Sequence, residues 1–177
     1  MKYEMVKTAR YRVGQFLRAL TDRVADGEVE QATSALTPEA RALFRRQAAQ
    51  DQRHALAVYR ALRQAGHTNP HLLAAALLHD AGKAAARLPA WQRAIVVLLE
   101  RFAPRLLARL SQGESQFWNR PFVVHAQHPE AGARWAQEAG CSPLTAALIR
   151  RHQDQLASRQ TEEDQLLAAL QAADNLN

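Results

Sequence analysis

The segment LLHDAGK, residues 77–83, places a histidine and an aspartate side by side at the end of a long apolar run. Either side chain would cost several kcal/mol if it were buried among hydrocarbon without a partner. A neutral imidazole and an ionised carboxylate are both good ligands for divalent cations, so a bound metal ion would compensate the two groups at once. His79 and Asp80 therefore indicate a metal-binding enzyme, if further ligands lie elsewhere in the chain.

Further candidate ligands are separated from this doublet by helix-length intervals. They comprise one histidine before the doublet, three histidines after it and one late aspartate: His54, His125, His128, His152 and Asp174. A histidine, a His-Asp doublet and a late aspartate, in this order, resemble the HD-domain superfamily of metal-dependent phosphohydrolases. The resemblance covers about residues 50–177 and implies that four residues bind metal, namely His54, His79, Asp80 and Asp174.

A subtype of the superfamily with two additional histidines is similar as well. In that subtype a His-x-x-x-Gly segment opens one helix, as in HPEAGA (128–133), and a second histidine lies on the next helix, as His152 does. His125 competes with His128 for the first position, but the proline and glycine of the pattern follow His128. His125 is then a pocket residue or a polar loop residue. The resemblance implies two divalent metal ions, of Fe, Mn or another first-row metal, held by His54, His79, Asp80, His128, His152 and Asp174.

Asp80 and Lys83 are the residues to which catalytic roles are assigned. Asp80 can bridge two metals and orient the attacking water. Lys83 follows Asp80 by three residues and His79 by four, so on a helix it lies on the same side and could neutralise a phosphate oxygen. The alternative for Lys83 is a surface lysine at a helix end. Gly82 would thin the turn and let a ligand approach the site.

The expected function is hydrolysis of a phosphate ester or phosphoanhydride, with a nucleotide as the small-molecule substrate and metal-bound hydroxide as the nucleophile. The small bacterial HD-type dinucleoside tetraphosphatases are similar in His-Asp-x-x-Lys, His-x-x-x-Gly-Ala and the late Ala-Asp, although these motifs are spaced further apart here. The alternative is a catalytically silent HD module that binds a nucleotide or a protein partner in regulation. The complete ligand set favours the enzyme, because a degenerate module would be expected to have lost a ligand.

Composition and charge limit the other classes of function. The chain has 177 residues, of which 47% are hydrophobic, enough for one sizeable core. A single cysteine excludes an internal disulfide framework, and the N-terminus lacks a secretory profile, so a cytoplasmic protein is expected. The formal net charge of +6 suits anionic ligands, but the arginines are scattered and no nucleic-acid motif is present. No nucleic-acid partner is expected. The sequence leaves open whether the chain forms a homo-oligomer.

Helix signals dominate the chain and predict an all-α compact bundle of about seven helices. An HD-like domain is expected over 37–177, after an N-terminal helical extension over 1–36. The dipeptides Thr37-Pro38, Asn69-Pro70 and Ser142-Pro143 each join a capping side chain to a proline suited to the first helical position. We expect helices near residues 4–26, 38–65, 70–86, 89–110, 129–139, 143–157 and 162–176.

The most apolar stretch outside the motif, residues 91–110, carries periodic arginines. A basic amphipathic helix of this kind can lie on an anionic membrane. A bundle helix has the same pattern, and Pro104 should kink or end it, so we expect a bundle helix. No stretch reaches the roughly 20 apolar residues that a membrane span requires, so no such span is expected. The polar stretch 111–120 predicts a loop.

Overall fold

The computed structural model describes residues 26–86, 88–113, 116–156 and 160–177, and every regular element in these ranges is helical. The elements, in chain order, are α1 (Asp26–Thr33), α2 (Pro38–Arg46), α3 (Ala49–Gln64), α4 (Pro70–Leu78), the 3₁₀ helix η1 (Ala81–Ala85), α5 (Ala90–Phe102), α6 (Pro104–Leu110), α7 (Arg120–Glu138), α8 (Pro143–Arg151) and α9 (Glu162–Asn175). The predicted all-α bundle is therefore confirmed. The expected helix over 4–26 lies outside the described residues except for residue 26.

Three helices begin at the expected capping residues, and the helix expected over 162–176 begins in the same way after Thr161. The side chains of Thr37, Asn69, Ser142 and Thr161 each accept a hydrogen bond from a backbone N–H of the first helical turn, at 2.9–3.1 Å. The first three are followed by a proline in the first turn, where its missing N–H costs nothing. These contacts confirm the predicted starts of α2, α4, α8 and α9.

The expected helix over 38–65 is two helices, because the backbone is extended at Gln47 and Ala48, with ψ near 152° and 151°. No proline or glycine marks this break in the sequence. Gln47 is buried, and its Nε2 donates a hydrogen bond of 2.9 Å to the carbonyl of Leu77, in the last turn of α4. The break thus supplies a donor to a carbonyl that the end of α4 leaves without a helical partner.

The expected helix over 89–110 is divided at Ala103 into α5 and α6, as the proline at 104 indicates. The two helices have 13 and 7 residues. Among the described residues, none of the helices combines the length and the apolar character that crossing a bilayer requires.

Three further helices differ from their expected bounds close to the candidate ligands. The expected helix over 143–157 ends at Arg151, so His152 follows it. The expected helix over 70–86 ends at Leu78 and continues as a separate 3₁₀ segment, η1. The expected helix over 129–139 begins at Arg120, so Pro129 lies inside α7 instead of at its start. The polar stretch expected to be a loop therefore ends at residue 119.

The core lies between α3, α4, α8 and α9. Leu56, Leu72, Leu148 and Leu167, one from each of these helices, are 0% exposed. Helix α7 packs along η1 and α8, and α1 adds Ala32 to the same core. The ends of α4 and α8 consequently lie inside the molecule, where polar side chains need partners.

Candidate metal centre

The structure brings all six predicted metal ligands together in one site. They come from five parts of the fold: His54 from α3, His79 and Asp80 from the turn after α4, His128 from α7, His152 from the residue after α8, and Asp174 from α9. Their ligand atoms form two groups of three, and the atoms of each group lie within 4.8 Å of one another.

The first group consists of His54, His79 and Asp174. Asp174 Oδ1 lies 2.7 Å from His54 Nε2 and 3.5 Å from His79 Nε2. His79 is fully buried, whereas the other two side chains are 27% and 29% exposed. The first group is therefore accessible from one side.

The second group consists of Asp80, His128 and His152, all buried. Asp80 Oδ1 lies 3.3 Å from His128 Nε2 and 3.8 Å from His152 Nε2, and the two histidine Nε2 atoms are 3.3 Å apart. The other carboxylate oxygen, Asp80 Oδ2, lies 3.7 Å from His79 Nε2 in the first group. Asp80 therefore lies between the two groups, as a bridging carboxylate would.

Three of the histidines share one kind of orienting hydrogen bond. The Nδ1 atoms of His79, His128 and His152 lie 3.0, 2.5 and 2.7 Å from the carbonyl oxygen three residues earlier in the chain. A carbonyl oxygen can only accept, so each Nδ1 carries a proton, and in the neutral ring each Nε2 keeps a lone pair. Metal-binding histidines commonly have their second ring N–H bonded in this way.

The residues present fit a metal ion. His79 Nε2 is buried and makes no hydrogen bond, and the facing Nε2 lone pairs of His128 and His152 would repel each other without a cation between them. Bonds of about 2.1 Å at a tetrahedral ion place neighbouring ligand atoms about 3.4 Å apart. This is close to the separations of 3.3–3.8 Å in the second group and to the 3.5 Å between Asp174 and His79 in the first. Imidazoles and carboxylates together could thus hold a first-row divalent ion here.

Electrostatic interactions favour the metal-binding protonation state of Asp80, Asp174 and His152. At His79 burial would lower the pKa, but the charge of Asp80 and the contact with Asp174 outweigh burial and raise it. Burial would raise the pKa of Asp80, but the charges of His79 and Lys83 outweigh burial and hold that pKa well below its usual value. Burial, together with the charge of His79, lowers the pKa of His152 to about 3. Burial would also raise the pKa of Asp174, but the hydrogen bond with His54 and the nearby His79 outweigh burial and lower that pKa strongly. At neutral pH the carboxylates are ionised and His152 is neutral, as metal ligands must be.

Two glycines allow η1 to approach α7 closely enough to complete the second group. A Cβ atom on Gly82 would overlap the backbone carbonyl of His128 and lie 2.8 Å from the amide nitrogen of Gly132. A Cβ on Gly132 would lie 3.1 Å from the Gly82 nitrogen. The backbone of α7 thus occupies the space that the missing side chain of Gly82 leaves. The expectation that this space would admit a ligand was wrong. The same approach brings Asp80 to His128.

A cavity of about 310 Å³ gives access to both groups. Its lining includes Lys83, whose Nζ lies 2.7 Å from Asp80 Oδ2 and whose side chain is 33% exposed. Apolar side chains from α5, the segment before it and the first turns of α7 also line the cavity: Leu88, Val96, Val97, Pro121 and Val124. Charged Lys83 and these apolar side chains thus line the same cavity.

The His125 side chain lies in this cavity and belongs to neither ligand group. Its Nε2 is 3.8 Å from Glu100 Oε1 on α5. Burial lowers the pKa of His125, which favours the neutral ring at pH 7. Its backbone carbonyl, however, accepts the Nδ1 hydrogen of His128, so His125 contributes to the site through its main chain.

Sequence reasoning did not identify Asp51 and Arg93, which also line the cavity. Arg93 Nη1 lies 2.9 and 2.8 Å from the two carboxylate oxygens of Asp51, and this pair joins α5 to α3. Asp51 precedes His54 by three residues on the same helix face, a spacing that could have indicated it. Arg93 stands 42 residues further along the chain, and no local pattern connects the two.

Gln171 was also missed, and it secures the turn that follows His152. Its Nε2 donates hydrogen bonds to the carbonyls of His152 and Asp154, at 3.0 and 2.8 Å. Arg151 adds ion pairs to Glu163 and Asp164 at the start of α9. The end of α8 is thereby held against α9, which carries Asp174.

Comparison of the chain with protein families, curated proteins and solved structures finds no match. What the site can do must therefore be inferred from its residues and their geometry.

Proposed function

We propose that this protein is a metal-dependent phosphohydrolase of the HD type, which hydrolyses a phosphate ester or phosphoanhydride of a nucleotide. The observation that carries the proposal is the pair of ligand groups with Asp80 between them, beside a cavity that is also lined by the ammonium group of Lys83. Two ions, Fe, Mn or another first-row metal, would be held by one group each. His54, His79 and Asp174 would hold one ion, and Asp80, His128 and His152 the other.

Two such ions would polarise a phosphoryl oxygen and lower the pKa of a coordinated water. The protein's own side chains would position the water and the phosphate and supply a positive charge. Asp80 lies between the ligand groups and can accept a hydrogen bond from the attacking water. Lys83, held by Asp80 through one N–H, has further N–H groups for an oxygen of the phosphate. Burial would lower the pKa of Lys83, but Asp80 outweighs it and raises that pKa, so the side chain stays charged at neutral pH.

The cavity supports a compact substrate with one anionic end and one apolar or planar end. Its volume of about 310 Å³ lies at the lower end of the range usual for small-molecule sites. Lys83 and the ligand groups would receive the phosphate, and the apolar wall formed by Val96 and Val124 would receive the remainder. A nucleotide has both parts, and the net charge of +6 favours its approach.

The first test measures the metal content of the purified protein after reconstitution with Mn²⁺ or Fe²⁺. We expect two ions per chain in the unaltered protein. His128→Ala should lose the ion of the second group, whereas the matched control His125→Ala, outside both groups, should retain two. No binding by the unaltered protein, or equal loss in both variants, would contradict the assignment of the ligands.

The second test screens the reconstituted protein for phosphate release from nucleotides. Lys83→Ala should keep its metal content and lose about 10- to 1000-fold in kcat/KM, the range expected for one charge-assisted contact to a phosphate in a site of low dielectric. Full activity of this variant would remove Lys83 from the reaction. A protein that binds two metals and releases no phosphate from any nucleotide would favour the silent regulatory module.

A further inference from the structure

We propose that Pro129 is a positioning residue for His128: by withholding a backbone N–H, it leaves a carbonyl free to orient the histidine ring towards the metal. The inference rests on the proposed metal site. It concerns a residue that binds no metal and makes no contact with substrate.

Pro129 occupies an unfavourable place for a proline, inside the 19-residue helix α7. In an α-helix the N–H of residue 129 would bond to the carbonyl of residue 125. Proline has no N–H, so the carbonyl of His125 lacks its helical donor. The ring of His128 supplies the replacement, with Nδ1 at 2.5 Å from the His125 oxygen.

The other two buried histidines obtain the same hydrogen bond without a proline. His79 directly follows α4 and His152 directly follows α8. Their Nδ1 atoms donate to Ala76 and Ile149, whose carbonyls lie in the last helical turn, where no backbone donor four residues later is available. His128 lies in the middle of a helix, where carbonyls are normally occupied. Pro129 therefore creates in α7 the acceptor that a helix end supplies at the other two positions.

The consequence is a fixed tautomer. With Nδ1 bonded to the carbonyl, the Nε2 lone pair of His128 faces Asp80 and His152, at 3.3 Å from each. An alanine at position 129 would return an N–H to the His125 carbonyl. The His128 ring would then compete with the backbone for the same acceptor and lose its preference for one tautomer.

The test compares Pro129→Ala with the unaltered chain by two measurements. Titration with Mn²⁺ gives the metal affinity, which should fall by about 10- to 100-fold, as is usual when the hydrogen bond that orients a metal-binding histidine is lost. Nitrogen NMR of the metal-free protein gives the His128 tautomer, which should change from Nδ1–H alone to a mixture. Thermal stability should not fall, because alanine is the better helix former. Pro104→Ala, at the first residue of α6 and outside the cavity, should change neither quantity.

A second variant separates the missing N–H from the shape of the proline ring. An ester analogue with lactic acid at position 129 has the methyl side chain of alanine but no N–H, so it should restore both the metal affinity and the single tautomer. Unchanged affinity in Pro129→Ala, weaker affinity with an unchanged tautomer, or no recovery in the ester analogue would each overturn the inference. Failure of the unaltered protein to bind Mn²⁺ would instead contradict the proposed function, while the tautomer comparison would still decide the role of Pro129.

Discussion

The candidate metal centre and the α5–α6 arm, residues 90–110, reverse the usual relation between polarity and burial. The centre buries three histidines and an aspartate: His79, Asp80, His128 and His152 are each at most 4% exposed. The arm is the more apolar in sequence, yet one face of α5 exposes Trp91, Ile95, Leu98 and Phe102, by 39–77%. Hydropathy alone would assign these regions to the opposite environments. The difference shows that partner groups, rather than polarity, decide what this fold can bury.

The arm is attached to the rest of the protein at few points. Val96 and Leu107 are its buried large side chains, and the ion pair of Arg93 with Asp51 joins it to α3. The centre, in contrast, lies where α3, α4, α7, α8 and α9 meet. Substitutions in the two regions should therefore differ in their cost.

The largest effect is expected at the core beside the centre. Leu78 is fully buried at the end of α4, directly before His79. Leu78→Ala should lower the free energy of unfolding by about 2–5 kcal/mol, because it removes apolar contacts and leaves a cavity. Urea denaturation of the metal-free protein measures this. A loss well below about 2 kcal/mol, the lower end of the range for such core truncations, would mean that the centre is less tightly packed than the structure indicates.

The second largest loss in the free energy of unfolding is expected where the arm is attached to α3. Arg93→Ala leaves the carboxylate of Asp51, which is 11% exposed, without its cation. We expect a loss of about 1.5–3 kcal/mol, the usual value for hydrogen bonds to a charged group. Hydrogen exchange should show faster exchange in α5 with little change in α8. Arg105→Ala, on the exposed surface of the same arm, is the control and should leave both quantities unchanged.

Gly82→Ala tests the close approach of η1 to α7. The added methyl group overlaps the backbone of His128, so the two segments must separate. We expect a cost of about 1–3 kcal/mol, typical of overpacking, together with weaker metal binding as Asp80 moves away from His128. Gly27→Ala is the matched control, because a Cβ there meets nothing within 4 Å. Unaltered metal affinity in Gly82→Ala would show that Asp80 does not depend on this contact.

The smallest effect is expected on the exposed face of the arm. Leu98→Ala makes the same change of side chain as Leu78→Ala, but Leu98 is 55% exposed. The free energy of unfolding should change by less than about 0.5 kcal/mol. A loss as large as that of Leu78→Ala would show that another surface covers this face of α5 in solution.

Local signals in the sequence predicted several parts of the structure correctly. The capping side chains of Thr37, Asn69 and Ser142 act on backbone N–H groups two or three residues away, so the helix starts are visible within a few residues of sequence. The break before Pro104 is equally local, because a proline removes a helical hydrogen bond wherever it stands inside a helix.

Other parts depended on contacts between distant residues. The break at Gln47 and Ala48 has no proline or glycine, and it serves the carbonyl of Leu77, 30 residues away. Pro129 could have begun a helix, as the sequence suggested, but α7 continues through it, and the His128 ring takes the place of the missing backbone donor. Neither outcome can be read from a window of neighbouring residues.

By itself the sequence determined the helical class, the main helix starts and the six side chains able to bind a metal, since caps, periodicity and side-chain chemistry are properties of a few residues. Tertiary structure alone decided that those six side chains form two groups with Asp80 between them, that the backbone of α7 lies against Gly82, and that the apolar face of α5 stays exposed. The physical reason is that each of these outcomes depends on distances between segments far apart in the chain. Such distances are set by the packing of all the helices together.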